Sequence, residues 1–217
     1  MDLTLSHLQQ AQLPRPDRGG SRRFQLGRLE LILEPVRGGY TLLCLDGSKA
    51  RTWSLALARH GELWLQCRLP RWPLRVGLQD TMVLVPHSRT HGYVQVPLVP
   101  TVVWRAEGRP ELVVAELMPA ALAAEWDEVT SAVVQRSTSA FLQRLPLPDE
   151  QPRGVVPLTV RNDSDAVQSP DALPIALRDD ELRVCREHLI AMPRRLRIDE
   201  QGRMSMHVRP REGERRR

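Results

Sequence analysis

At 217 residues, 41% of them hydrophobic and 26% charged, the chain suits one large domain or two small ones and is too apolar to stay disordered as a whole. Its longest uncharged stretch, Gly92 to Trp104, falls short of the roughly 18 residues a bilayer-crossing helix needs and is broken by Pro97 and Pro100, so no transmembrane segment is expected. The net charge of +5 equals the excess of nine arginines over four carboxylates between Arg194 and Arg217, which predicts a basic tail on a neutral body and makes nucleic acid an unfavoured partner.

Cys44, Cys67 and Cys185 are far apart and form no CxxC pair, so reduced, mostly buried thiols are expected rather than a disulfide framework or a zinc knuckle. Met1 to Gln12 shows no basic region ahead of an apolar block, so no secretory signal is expected and the predicted location is cytoplasmic.

Residues 1–23 are predicted to be a flexible arm, because Pro14, Pro16, Gly19 and Gly20 interrupt any period and four arginines keep it solvated. From Gly27 the chain alternates, with Leu29, Leu31 and Leu33 on one face and Arg28, Glu30 and Glu34 on the other, which predicts a strand ending at Pro35. A second strand is expected over Tyr40 to Leu45. Next, Trp53 to Arg59 and Glu62 to Leu69 read as a hairpin around His60 and Gly61, pairing Leu57 with Trp64, Leu55 with Gln66 and Trp53 with Arg68. One face of it, with Ala56, Ala58, Leu63, Leu65 and Cys67, would join the core.

Short strands are predicted at Leu74 to Leu78, Met82 to Val85, His91 to Val96, Thr101 to Arg105 and Glu111 to Leu117, spaced as in a sandwich or barrel. Residues 119–145 carry a helical stripe of Leu122, Trp126, Val129, Val133 and Ala140, but also many β-leaning residues, so helix and strand both stay open. After a Pro-rich connector, Val155 to Val160 and Leu182 to Cys185 read as strands, and Arg194 to Asp199 with Arg203 to Arg209 as a hairpin around Gln201 and Gly202. There is no internal repeat. The predicted fold is all-β: an antiparallel β-sandwich over 24–148, a smaller C-terminal β domain over 153–209, and a disordered tail over 210–217.

Three stretches carry a family resemblance: LRVGLQDTMVLVPHSRTHGYVQVPLVPTVVW from Leu74, EWDEVTSAVVQRSTSAF from Glu125, and VVPLTVRNDSDAV from Val155. Together the chain resembles domain of unknown function 432, a set of microbial proteins without an established activity. The resemblance implies an all-β fold, no catalytic residues to carry over, and an accessory or regulatory role, with a membrane-channel protein among the partners it suggests. The middle stretch lacks the glycine that the family places between two strands, which leaves the choice over 119–145 open.

Candidate chemistry is sparse. His87 and His91 are four apart, a spacing two metal ligands use on a helix face, but Pro86 and Gly92 predict a loop and no acidic residue stands in the HExxH position. No phosphate loop, GxSxG turn or other nucleophile arrangement occurs, and no cofactor is predicted. The adjacent acids Asp127 with Glu128, and Asp179, Asp180 with Glu181, suit solvated loops. The mixed face of the predicted hairpin stands out: Trp53, Trp64 and Arg68 could present a contact surface, or pack against a second sheet. The expected function is therefore a non-enzymatic module that binds another protein. The alternatives are a hydrolase assembled from loop histidines and carboxylates, and a nucleic-acid binder acting through its basic tail.

Overall fold

The computed structural model describes residues 10–16, 20–56, 61–119, 122–128, 131–147 and 151–208. Among them every regular element is a strand, apart from one 3-10 turn at Asp179–Glu181. In chain order the first five strands are β1 (Ala11–Leu13), β2 (Arg22–Leu26), β3 (Leu29–Val36), β4 (Gly39–Asp46) and β5 (Lys49–Leu55). β2 to β5 form an antiparallel meander through two-residue turns. Gly27 and Gly47 open two of those turns at φ of 57° and 58°, a left-handed conformation that costs glycine no Cβ clash.

The middle of the chain supplies β6 (Glu62–Arg68), β7 (Leu74–Leu78), β8 (Arg89–Pro97), β9 (Val99–Arg105), β10 (Leu112–Glu116), β11 (Ala123–Asp127) and β12 (Ala132–Ser139). The remainder gives β13 (Arg153–Asn162), β14 (Ala172–Ile175), β15 (Arg183–Cys185), β16 (His188–Ile190), β17 (Arg194–Ile198) and β18 (Met204–Val208). A second sheet runs β1-β6-β9-β10 and a third β11-β12-β7-β14. The fourth is built on β13, with β8 antiparallel along one edge and β16 then β17 parallel along the other. β15 and β18 complete it.

Each sheet turns its apolar side to one common core. Leu31, Leu33 and Leu42 from the meander join Leu63 and Leu65, Val76 and Leu173, and Val94, Val156, Val160 and Leu196. This is the predicted all-β sandwich, with three parallel pairings inside an otherwise antiparallel scheme. Strands after residue 153 complete two sheets begun before 148, because β13 pairs with β8 and β14 with β7. Cys44 and Cys67 are buried and Cys185 exposed, all three free. Burial pushes the Cys67 thiol up to about 12, and it also raises Cys44 against the opposing pull of Arg51.

Several expectations need correction, among them the strand expected over Met82 to Val85, where only an isolated bridge between Leu84 and Gln168 forms. The predicted hairpin of Trp53 to Arg59 with Glu62 to Leu69 does not form: β5 pairs with β4, while both edges of β6 are taken by β1 and β9. Alternation fixed the faces of these strands but could not choose their neighbours. Leu55, expected opposite Gln66 on the face away from the core, is buried, and Ala56, expected in the core, is exposed; residues 57–60 lie outside the described residues. The open choice over 119–145 resolves to strands, since β11 and β12 pair as a hairpin and the β-branched residues of β12 sit where a pleated surface accommodates them. Finally, part of the predicted arm is ordered, because β1 pairs with β6 and buries Leu13. The predicted tail at 210–217 lies outside the described residues.

A buried ion pair ties the fourth sheet to the 3-10 turn. Arg194 opens the core-facing side of β17 and is 1% exposed. Its guanidinium bonds the Glu181 carboxylate and donates to the carbonyl of Ala176 at 3.3 Å. Glu181 in turn accepts from the Arg178 backbone N–H at 2.8 Å. Removing one partner strands the other charge in the core, so Arg194→Ala is expected to cost about 3–5 kcal/mol, read as a lower urea midpoint. Arg194→Met combined with Glu181→Leu should recover most of that loss; a double variant no more stable than the single one would contradict this role.

Candidate functional site

The structure separates the residues expected to form the aromatic surface. Trp53 lies on β5 opposite Leu42, in the meander, and its ring takes a cation–π contact from Arg51 at 5.8 Å rather than from Arg68. Trp64 and Arg68 do share the outer side of β6, two pleats apart with Gln66 between them. Arg105 lies over the Trp64 ring at 5.1 Å, and the indole N–H donates to Glu62 at 3.1 Å.

Glu111 gathers the charges of this face. It accepts from Arg105 at 2.6 Å and from Gln66 at 3.0 Å, and pairs with Arg68. Arg105 also donates to Gln10 at 2.8 Å. Burial raises the Glu111 carboxyl, but the Arg105 and Gln66 hydrogen bonds and the two arginine charges outweigh it and hold it below the usual carboxylate range. The polar groups around Trp64 are thus committed to one another. A depressed folded-state value adds stability that is full above the ordinary carboxylate range and is lost as pH falls from there through the lowered value. Glu111→Gln should therefore melt below the native chain at neutral pH, with the gap closing in acid; a gap independent of pH would contradict the network.

His87 and His91 go to different partners. His87 occupies a turn at φ 55°, its Nε2 2.8 Å from an Asp165 carboxylate oxygen. His91 stands on β8 with Nδ1 2.9 Å from the Thr159 hydroxyl. A strand and a turn do not bring i and i+4 together as a helix does. Among the described residues no three His, Cys, Asp or Glu side chains are grouped to hold a metal ion.

A further concentration of charged and polar side chains lies on the open face of the fourth sheet. Residues directly opposite across a ladder point to the same side, so the registers assemble two rows. One crosses Arg89, Arg161 and Arg197 and ends at Ser205. The other, two residues along, crosses His91, Thr159, Arg195 and His207. Between the rows is a depression of about 360 Å³ whose lining carries four guanidiniums and no carboxylate.

Among the described residues, one acid answers these cations. Asp163, just past the end of β13, accepts from Arg197 Nε at 2.6 Å and pairs with Arg161. Burial raises its carboxyl, but the hydrogen bond from Arg197 and the charges of both arginines prevail and hold it below the ordinary range. Its backbone N–H donates to Ile198 at 3.0 Å. The preceding Asn162 is fully buried, its amide donating to the Leu84 and Ala166 carbonyls at 3.1 and 2.8 Å. That anchor fixes where Asp163 leaves the sheet. Among the described residues, Arg89 and Arg195 have no carboxylate partner.

The chain matches no protein-family model, no curated protein and no solved structure. The open face was missed in the sequence although its members alternate with apolar residues in β13 and β17. Each strand puts only one or two cations on this face, and the excess emerges when strands 36 and about 70 residues apart are set side by side.

Proposed function

We propose that this chain is a non-enzymatic binding module that engages another protein through the open face of the fourth sheet, the partner presenting acidic groups. The observation that carries this reading is the row Arg89, Arg161, Arg197, in which three like charges stand directly opposite one another on neighbouring strands. Like charges in that position destabilise a sheet, and Asp163 offsets only part of them, so such a row is understandable where an anionic partner neutralises the rest. Complementary charge also speeds encounter and orients docking.

The Trp64 surface is a less suitable contact, because Arg105, Glu62 and Glu111 already occupy its polar groups. Trp53, Trp64 and Arg68 do not act as one site in this reading. An accessory role, implied by the resemblance to domain of unknown function 432, fits a module of this kind. A cytoplasmic setting fits its three free cysteines.

Fluorescence anisotropy with a labelled oligoglutamate peptide tests the proposal. The native chain is expected to bind with an affinity that falls steeply as salt rises, the Arg89→Glu, Arg195→Glu double variant to lose binding, and Trp64→Ala to retain it. Binding unchanged in the double variant, or lost in Trp64→Ala, would overturn the assignment.

A further inference from the structure

Asp163 shows how the cationic face holds an anion. Two guanidiniums on neighbouring strands, Arg161 and Arg197, converge on one carboxylate, with Arg197 contributing both Nε and a terminal nitrogen at 2.6 and 2.5 Å. Both Arg197 contacts go to one carboxylate oxygen while Arg161 meets the other, and charge-assisted contacts of this kind are stronger than neutral ones. The Asp163 side chain is only 18% exposed, whereas those of Arg161 and Arg197 are 56% and 54% exposed. The internal acid therefore sits low between arginines whose outer surfaces remain open.

The rest of the face repeats the donors without the acid. Arg89 stands opposite Arg161, and Arg195 lies two residues from Arg197 on the same side of β17. The Thr159 hydroxyl is between His91 and Arg195 in the second row. Arg89 and Arg195 stand two strand spacings apart and two residues along, roughly 12 Å, which is the step between carboxylates about four positions apart in an extended peptide. The depression has no Trp, Tyr or Phe in its lining, so it offers no platform for stacked bases.

We infer that this face takes carboxylate side chains of an extended acidic peptide segment at Arg89 and Arg195, at its opposite corners, while Asp163, held by Arg161 and Arg197, is an internal stand-in that limits the affinity. This rests on the binding function proposed above and adds the chemistry of the ligand and the brake on its binding. Nucleic-acid phosphates would meet the same cations but lack the stacking surface, and they carry charge at every step against which Asp163 acts.

The test compares oligoglutamate with single-stranded oligothymidylate on the native chain, Asp163→Asn, Asp163→Ser and Glu34→Gln. Glu34→Gln removes one negative charge from an exposed site on β3 and controls for net charge alone. Thermal melts establish which variants are folded. The expected result is oligoglutamate bound more tightly than oligothymidylate, with a severalfold gain in both Asp163 variants and none in Glu34→Gln. If oligoglutamate binds and Arg89→Glu with Arg195→Glu abolishes it, but neither folded Asp163 variant gains affinity, the stand-in role is overturned and the binding function stands. Tighter binding of oligothymidylate would overturn the carboxylate assignment. If neither probe binds any of the variants, the binding function and this inference both fall.

Discussion

The pairing of β13 on both edges is the constraint from which the rest follows. β8 runs antiparallel to it from Arg153 to Arg161, and β17 runs parallel from Leu158 to Asn162. In that register Val156, Leu158 and Val160 face the core, while Thr159 and Arg161 face out. A slip by one residue would exchange the two sets and drive arginines into an apolar interior. The hydrophobic demand on one side thus fixes the charge alignment on the other.

The parallel edge of β13 is shared by two short strands, which creates a local difficulty. Between β16 and β17 the register advances by one residue, across 191–193. Pro193 stands in that interruption, where a missing N–H removes no ladder bond. Immediately after it, Arg194 plunges into the core to meet Glu181 and the carbonyl of Ala176. A buried charge pair contributes little net stability compared with apolar residues of the same shape, but it tolerates very few arrangements. Its effect here is to fix where β17 starts, and hence which of its arginines, Arg195 and Arg197, reach the surface.

How much of this could be read in the sequence follows the distinction between faces and neighbours. Period-two alternation located β3, β4, β7, β13 and the β17–β18 hairpin, because each has one side turned to the core. It also put Leu63, Leu65 and Cys67 in the core correctly. It failed where the pairing is distant: β6 goes to β9 and β1 rather than to β5, and no local signal distinguishes those edges. β11 has no buried residue at all, so alternation had nothing to report there. Arg194 was counted with a basic tail although it shares parity with Leu196 and Ile198, and Glu181 was counted with a solvated acidic loop. A charged residue in an apolar register position is the trace that a buried ion pair leaves in a sequence. The candidate site was invisible for the same reason as the strand neighbours, since a single Arg-His or Arg-Arg alternation is unremarkable until three such strands lie together.

The central claim is that the open face carries more positive charge than the fold needs, set there by register and kept for a ligand. It is tested most directly by the thermal midpoint of an Arg89→Gln, Arg195→Gln double variant without any ligand, across a range of salt concentrations. Relief of like-charge repulsion should raise the midpoint above that of the native chain at low salt, and screening should bring the two together at high salt. A midpoint below that of the native chain at low salt would mean that these arginines hold the sheet together, contradicting the claim.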